Sequence, residues 1–188
     1  PVLARRFLSM HVTHDDFTTR YRNLSQTGYE LDKLEALNIK YLAPVDLMSS
    51  RAFRAQFDLV FSYTVLEHVP ADEINRLLKE SVGALKPGGT CIHFIDLEDH
   101  LDSEKGPFEF LSTDIDWQED MSFNRGNRLR LSTWQRIFSE YSNMDWRFPY
   151  IAIRHDVSLP PLINHTIKYT SEEDLRTTGF VIVGKKLR

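Results

Sequence analysis

A single cysteine, Cys91, occurs in the 188 residues. No internal disulfide can therefore form, and the apolar run TCIHF around it marks Cys91 as a small core residue in a reducing setting rather than a nucleophile. Long apolar runs are missing too. No stretch approaches the roughly 20 residues of a membrane span, and no signal-peptide pattern precedes the fold, so the expectation is a soluble, cytoplasmic protein without membrane contact. Positive charge is in the minority: 23 Lys and Arg stand against 27 Asp and Glu, for a net charge of -4. That balance gives no electrostatic reason to expect nucleic acid as a partner. Internal repeats and low-complexity segments are also absent. What remains, 41% hydrophobic and 27% charged, is an ordinary globular composition, expected to form one domain over residues 1–188.

Within that composition, apolar residues recur with the periods of a layered α/β fold. YELDKLEAL (29–37) places Leu31, Leu34 and Leu37 near helical spacing, and Asn38 follows as a left-handed stop. IKYLAPVD (39–46) and FDLVFS (57–62) read as strands, the second apolar enough to be buried on both faces. Ile74, Leu77, Leu78, Val82 and Leu85 then share one helical face, with Asp72 and Glu73 in the first turn to complement the helix dipole. Lys86-Pro87-Gly88-Gly89 ends that helix, and TCIHFID (90–96) follows as a strand. Strand, helix, sharp stop and strand is the pattern of a parallel βαβ unit. Residues 97–131, polar, aromatic and weakly periodic, read as a lid or substrate-binding insertion. Ser132-Thr133-Trp134-Gln135 matches a capping box ahead of a helix carrying Trp134, Ile137, Phe138 and Tyr141. WRFPYIAIRH (146–155) and TGFVIVGKK (178–186) read as two final strands, with a short helix capped by Ser171 and Asp174 before the second.

Sheets of this kind bind ligands outside the carboxyl ends of their strands. That rule directs attention to Asp15 after MHVTH, to Asp46, to Ser62 through His68, and to Asp96 through His100. FDLVFSYTVLEHV, then an amphipathic helix, then LKPGGT and an apolar strand, closely resembles the second half of class I S-adenosylmethionine-dependent methyltransferases. The likeness extends over nearly the whole chain. It implies a Rossmann-like α/β fold: a mostly parallel sheet with an antiparallel C-terminal hairpin and helices on both faces. One departure stands out. The family's glycine-rich turn after its first strand is absent, and PVLARRFL resembles the helix that should follow that turn. The family's first strand lies between those of Asp15 and Ser62, so the expectation is that upstream residues supply strand and turn. A chain complete as given would instead be a non-catalytic binding or scaffold relative.

The resemblance further implies methyl transfer from S-adenosylmethionine to an oxygen or nitrogen of a small molecule. Asp15 would hydrogen-bond the ribose hydroxyls, with Asp16 in its place if the register shifts by one. Asp46 would sit beside the adenine, and Ser62 and Tyr63 would pass under the methionine end. Tyr63 and Trp117 offer aromatic faces that attract a sulfonium, Trp117 from the substrate side; simple packing is the alternative for both. His68 has the pKa class of a base on this rim, but Glu-His here recurs across relatives with different substrates, which fits hydrogen bonding where the next helix begins. In the run Asp96 to Asp102, Asp99 and His100 are candidate bases, while Asp96 and Glu98 are candidates to orient substrate. The alternative is a solvated or salt-bridged loop. No metal is expected, because the Asp-Asn ligand pair of metal-dependent relatives is not visible after Asp96.

Arg125, Arg128 and Arg130 can pair bidentately with an anionic group. Arg128 is the candidate for substrate, with internal pairing to Glu98, Asp99 or Asp102 as the alternative. His11 and His14 share a strand face by alternation but lack further ligands for a metal. A short-chain dehydrogenase would need Tyr-x-x-x-Lys late in the chain, and Tyr29 with Lys33 comes too early. The expected partner is a small-molecule substrate; oligomeric state is not legible.

Overall fold

In the computed structural model the described residues are 14–27, 31–46, 53–100, 106–114 and 126–188. The chain divides into two compact units, Pro1–Val45 and Asp46–Arg188. The first holds helices α1 (His14–Thr27) and α2 (Leu31–Ala36). Helix α2 stops as its sequence predicts: Asn38 adopts a left-handed φ of 59°, and the N–H groups of Leu37 and Ile39 donate to the Leu34 carbonyl at 3.0 and 2.9 Å. Two expectations are corrected. His14 begins α1 instead of lying on a strand, and Asp15 falls in the first turn of that helix. Residues 39–46 are irregular and exposed. No described strand pairs with them, and Pro44 has no N–H to offer a ladder.

The second unit is built on strands β1 (Phe57–Tyr63), β2 (Leu85–Asp96), β3 (Met144–Ile153) and β4 (Thr177–Lys186), in the order β1-β2-β4-β3. β1 and β2 run parallel and are bridged by helix α3 (Ile74–Ala84); β4 runs antiparallel to both β2 and β3. This is the βαβ unit with an antiparallel C-terminal pair that the sequence predicts. β1 is less buried than its composition suggests, with Phe61 72% and Tyr63 68% exposed, because it forms one edge of the described sheet.

LKPGG does more than end α3. Pairing jumps from Phe57↔Leu85 to Leu59↔Thr90, so five steps of β2 oppose two of β1, and the segment bulges as it enters the sheet. Gly88 takes φ 76° there. At Gly89 a side chain would meet the Lys86 carbonyl at 2.9 Å, so only glycine fits without displacement. Lys186 at the end of β4 donates to the Val82 and Leu85 carbonyls at 2.9 and 2.7 Å, satisfying the open C-terminus of α3.

Helix α3 and helix α4 (Leu131–Ser139) bury their apolar faces together on the sheet face of Ile95, Phe180 and Ile182. Trp134 and Phe138 are the largest contributors from α4, Phe138 lying 4.8 Å from Trp146 between ring centroids. Burying each such side chain contributes roughly 1.5–3 kcal/mol. The start of α4 departs from the predicted capping box: the helix begins at Leu131, and no side chain caps it locally. Asp174, in helix α5 (Glu172–Arg176), accepts from the Ser132 N–H at 2.9 Å, from the Ser132 hydroxyl, and from the Thr170 N–H at 3.0 Å. A carboxylate distant in sequence thus does the work of a cap.

The segment 97–131 packs firmly where it is described. Phe108, Phe110 and Leu111 form a second core with Ile167 and Leu175, which anchors its described middle portion to the segment before β4.

Candidate functional site

β1 leaves the sheet abruptly. Thr64 takes a φ of 50°, and its N–H still donates to the Phe94 carbonyl at 3.0 Å. The chain then enters a 3-10 turn, Leu66–His68. Leu66 plugs into the main core, and this drags the adjacent Glu67 down with it to 2% exposure. Asn127 clamps the turn from above. Its backbone N–H donates to the Glu67 carbonyl at 2.5 Å, and its side-chain amide to the Leu66 and Val69 carbonyls at 3.0 and 2.9 Å. Gly126 makes that approach possible: its φ is 73°, and a β-carbon there would come within 3.2 Å of the Glu67 carbonyl.

The end of β2 faces this turn. Asp96 accepts from the Glu98 N–H at 3.0 Å through Oδ1 and places Oδ2 3.4 Å from His100 Nε2. The His68 and His100 rings lie 4.9 Å apart, and His68 Nε2 stands 4.0 Å from Glu67 Oε1. Two neighbouring strand ends therefore converge, as expected for a sheet of this type.

The electrostatics follow from burial and pairing. Burial raises the Glu67 carboxyl above its ordinary range, only partly offset by a backbone hydrogen bond and the nearby histidines. Asp96 is also pushed upward by burial, but hydrogen bonds from His100 and Glu98 outweigh this and hold it below the usual carboxylate value. Its hydrogen bond to Asp96 raises His100 despite partial burial. Glu98 is raised by burial and by the charge of Asp96, and lies 4.0 Å from Arg154.

The candidates from the sequence distribute unevenly. His68, Asp96, Glu98, Asp99 and His100 gather along this rim, Asp99 buried and His100 exposed in part. Tyr63 is at the end of β1, exposed and stacked on Phe94 at 4.8 Å. Ser62 turns to the opposite face, where its hydroxyl pairs with His93 Nδ1 at 2.8 Å. Arg128 is committed to the protein: Nη1 donates to the Phe110 and Thr113 carbonyls at 3.0 and 2.7 Å, so its guanidinium braces the insertion. Arg130 is fully buried and donates to the carbonyls of Leu97, Asp174, Leu175 and Thr177. Neither guanidinium uses the acidic partners suggested from sequence in these bonds. Asp46 lies in exposed irregular chain and is not among the residues gathered at the rim. The side chains of Asp15 and Asp16, and all of His11, Trp117 and Arg125, lie outside the described residues.

Sequence reasoning places Glu67 on the rim, within Ser62 through His68, but gives it no role, and it misses Gly126 and Asn127 as parts of the site. Glu67 is visible in LEHV, but its burial depends on Leu66; the clamp joins residues 61 apart, which no local pattern signals. Asn127 and Arg128 also line a neighbouring cavity of about 530 Å³, with Arg136 and Lys168 on its wall.

Residues 2–93, just under half of the chain, match the model of a family described as a methyltransferase domain. No protein of curated function matches the sequence. Among solved structures, a Pyrococcus horikoshii protein is 14% identical over 82% of this chain and 64% of its own, with a TM-score of 0.48. The Bacillus subtilis YcgJ protein is 13% identical over 84% and 78%, with a TM-score of 0.47. A SAM-dependent methyltransferase of Thermotoga maritima is 16% identical over 82% and 68%, with a TM-score of 0.46. The chain spans 38% of a CurJ carbon methyltransferase and 52% of a Bordetella parapertussis protein, less than two-thirds of either, as with the Pyrococcus protein.

Proposed function

We propose that this chain, which matches the model of a methyltransferase-domain family over residues 2–93, transfers a methyl group from S-adenosylmethionine to an oxygen or nitrogen of a small molecule. The observation that most supports this reading is the convergence of the β1 and β2 carboxyl ends, where Glu67, His68, Asp96 and His100 meet on the rim that such sheets use for ligands. The same rim fits one end of the cofactor. Tyr63 presents an exposed aromatic face at the end of β1, of the kind that attracts a sulfonium. Ser62, its hydroxyl engaged by His93, would contribute through its backbone. The roles of Asp15 at the ribose and Asp46 at the adenine rest on the family resemblance alone.

Bound there, the cofactor supplies an electrophilic methyl on a sulfonium. The chain's own task is alignment and proton management. Asp96 fixes the His100 ring and strengthens it as a proton acceptor, and His68 and Asp99 stand beside it as further groups able to take a proton from the acceptor. A net charge of -4 supports a small-molecule acceptor over nucleic acid. No helix among the described residues is long and apolar enough to cross a membrane, in keeping with the proposed cytoplasmic setting.

The test is incubation of the full chain with methyl-labelled S-adenosylmethionine and a panel of small phenols, hydroxy acids and amines. Label on one or more small acceptors is the expected result. Label on nucleic acid or protein instead, or on nothing, contradicts it.

A further inference from the structure

Glu67 is a buried carboxyl at the rim to which the methyl-transfer reading gives no role. Its side chain is 2% exposed, and apart from its own backbone N–H neither carboxylate oxygen has a hydrogen-bond partner among the described residues. An uncompensated buried carboxylate is strongly disfavoured, so its position calls for a proton or a positive partner. What surrounds it is a pair of imidazoles. One ligand atom from each of Glu67, His68 and His100 lies within 4.8 Å of the others.

We propose that Glu67, His68 and His100 are the ligands of a divalent first-row transition-metal ion, with Asp96 orienting His100 and adding negative charge beside the ion. Two imidazole nitrogens and one carboxylate oxygen are a mixed donor set suited to ions such as Zn²⁺ or Mn²⁺, whereas Ca²⁺ and Mg²⁺ favour oxygen alone. A tetrahedral ion with bonds of about 2.1 Å needs donor atoms about 3.4 Å apart. The set therefore closes by up to about 1.4 Å, which side-chain rotation supplies. The side chains of His68 and His100, 24% and 25% exposed, have room to make that movement. Glu67 has not, because Asn127 and Gly126 hold its turn, so it serves as the fixed anchor. A carboxylate bonded to a ligating histidine is also a recurrent arrangement at metal centres, and Asp96 stands in that relation to His100.

The absence of a metal expected from the sequence rested on the stretch after Asp96 and on His11 and His14; these ligands come from two strand ends at once. Three protein donors leave a coordination position on the exposed side of the histidines. An acceptor hydroxyl held there would lose its proton more readily, the proton passing to solvent water on the exposed side of the histidines, with the ion taking over from a histidine base. That last step rests on the methyl-transfer reading; the ion site does not.

Metal binding itself is the test, on the purified full chain stripped with a chelator. After equilibrium dialysis against Zn²⁺ or Mn²⁺, the wild-type chain retains one ion of at least one of these metals. Glu67→Gln and His100→Ala each weaken retention by about tenfold or more, while His155→Ala, at an exposed histidine elsewhere, binds as wild type does. The retained metal also raises the melting temperature of the wild type but not of Glu67→Gln, which separates loss of a ligand from loss of the fold. Retention of neither ion by folded wild-type protein, or undiminished retention by both site variants, overturns the proposal. Binding is read without cofactor, so failure of S-adenosylmethionine to bind would remove the methyl-transfer reading and leave this one standing.

Discussion

Asn127 and Glu67 are joined by a 2.5 Å hydrogen bond from the Asn127 N–H to the Glu67 carbonyl, and the Asn127 amide adds bonds to the carbonyls of Leu66 and Val69 on either side. One residue from the insertion thereby satisfies three carbonyls of the turn that carries both Glu67 and His68. Asn127→Ala strands two of them. The expected cost is roughly 2 kcal/mol or more, measured by urea unfolding; a loss under about 0.5 kcal/mol, the range of ordinary surface substitutions, would show that the clamp is incidental.

Glu67 makes the metal-free protein sensitive to pH in a definite direction. Burial raises its folded pKa above the ordinary value, so the folded state holds the proton more tightly than the unfolded chain does. Its contribution is therefore favourable when protonated and is lost as pH rises through the folded pKa. Glu67→Gln, neutral at every pH, is expected to melt higher than chelator-treated wild type at pH 8, with the gap narrowing toward pH 4. A variant that melts lower throughout would mean that the ionised carboxylate has a partner in solution.

His93 acts with a different sign. Burial lowers its pKa to about 4, and the neutral ring sits between Ser62 and Phe138. Stability is full above the unfolded value near 6.5 and declines as pH falls toward 4, by on the order of 3 kcal/mol. His93→Phe should flatten that decline in denaturation curves taken at pH 7 and pH 4.5. An unchanged acid slope would assign the effect to other groups.

Arg130 holds together three parts of the second unit through the carbonyls of Leu97, Asp174, Leu175 and Thr177. Burial depresses its pKa to about 10, which still leaves it charged at neutral pH. Arg130→Met removes every one of these donors and is expected to cost at least about 3 kcal/mol. A destabilisation below about 1 kcal/mol in urea unfolding would show that water replaces them freely.

The parts of the molecule legible in the sequence are those governed by local rules. FDLVFS, the apolar face from Ile74 to Leu85, and the glycines of LKPGG state strand, helix and turn through neighbouring residues, and Asn38 announces its own left-handed stop. What escapes is long-range. Asp174 caps α4 from 42 residues away, Arg128 and Arg130 spend their guanidinium groups on backbone carbonyls, and Ser62 turns from the rim to His93 across the ladder. IKYLAPVD has the composition of a strand, but a strand exists only where an edge accepts it. The site is half visible for the same reason: Asp96, Glu98 and His100 cluster in sequence, whereas the burial of Glu67 and its clamp by Asn127 emerge only when residues 66 and 127 meet.

Calorimetric titration of the full chain with S-adenosylmethionine reads cofactor binding without the need for an acceptor. The methyltransferase reading predicts saturable heat from one site per chain, markedly weakened in Asp15→Ala. A folded chain that gives no heat with the cofactor would contradict it, and unchanged affinity in Asp15→Ala would contradict the role given to that carboxylate.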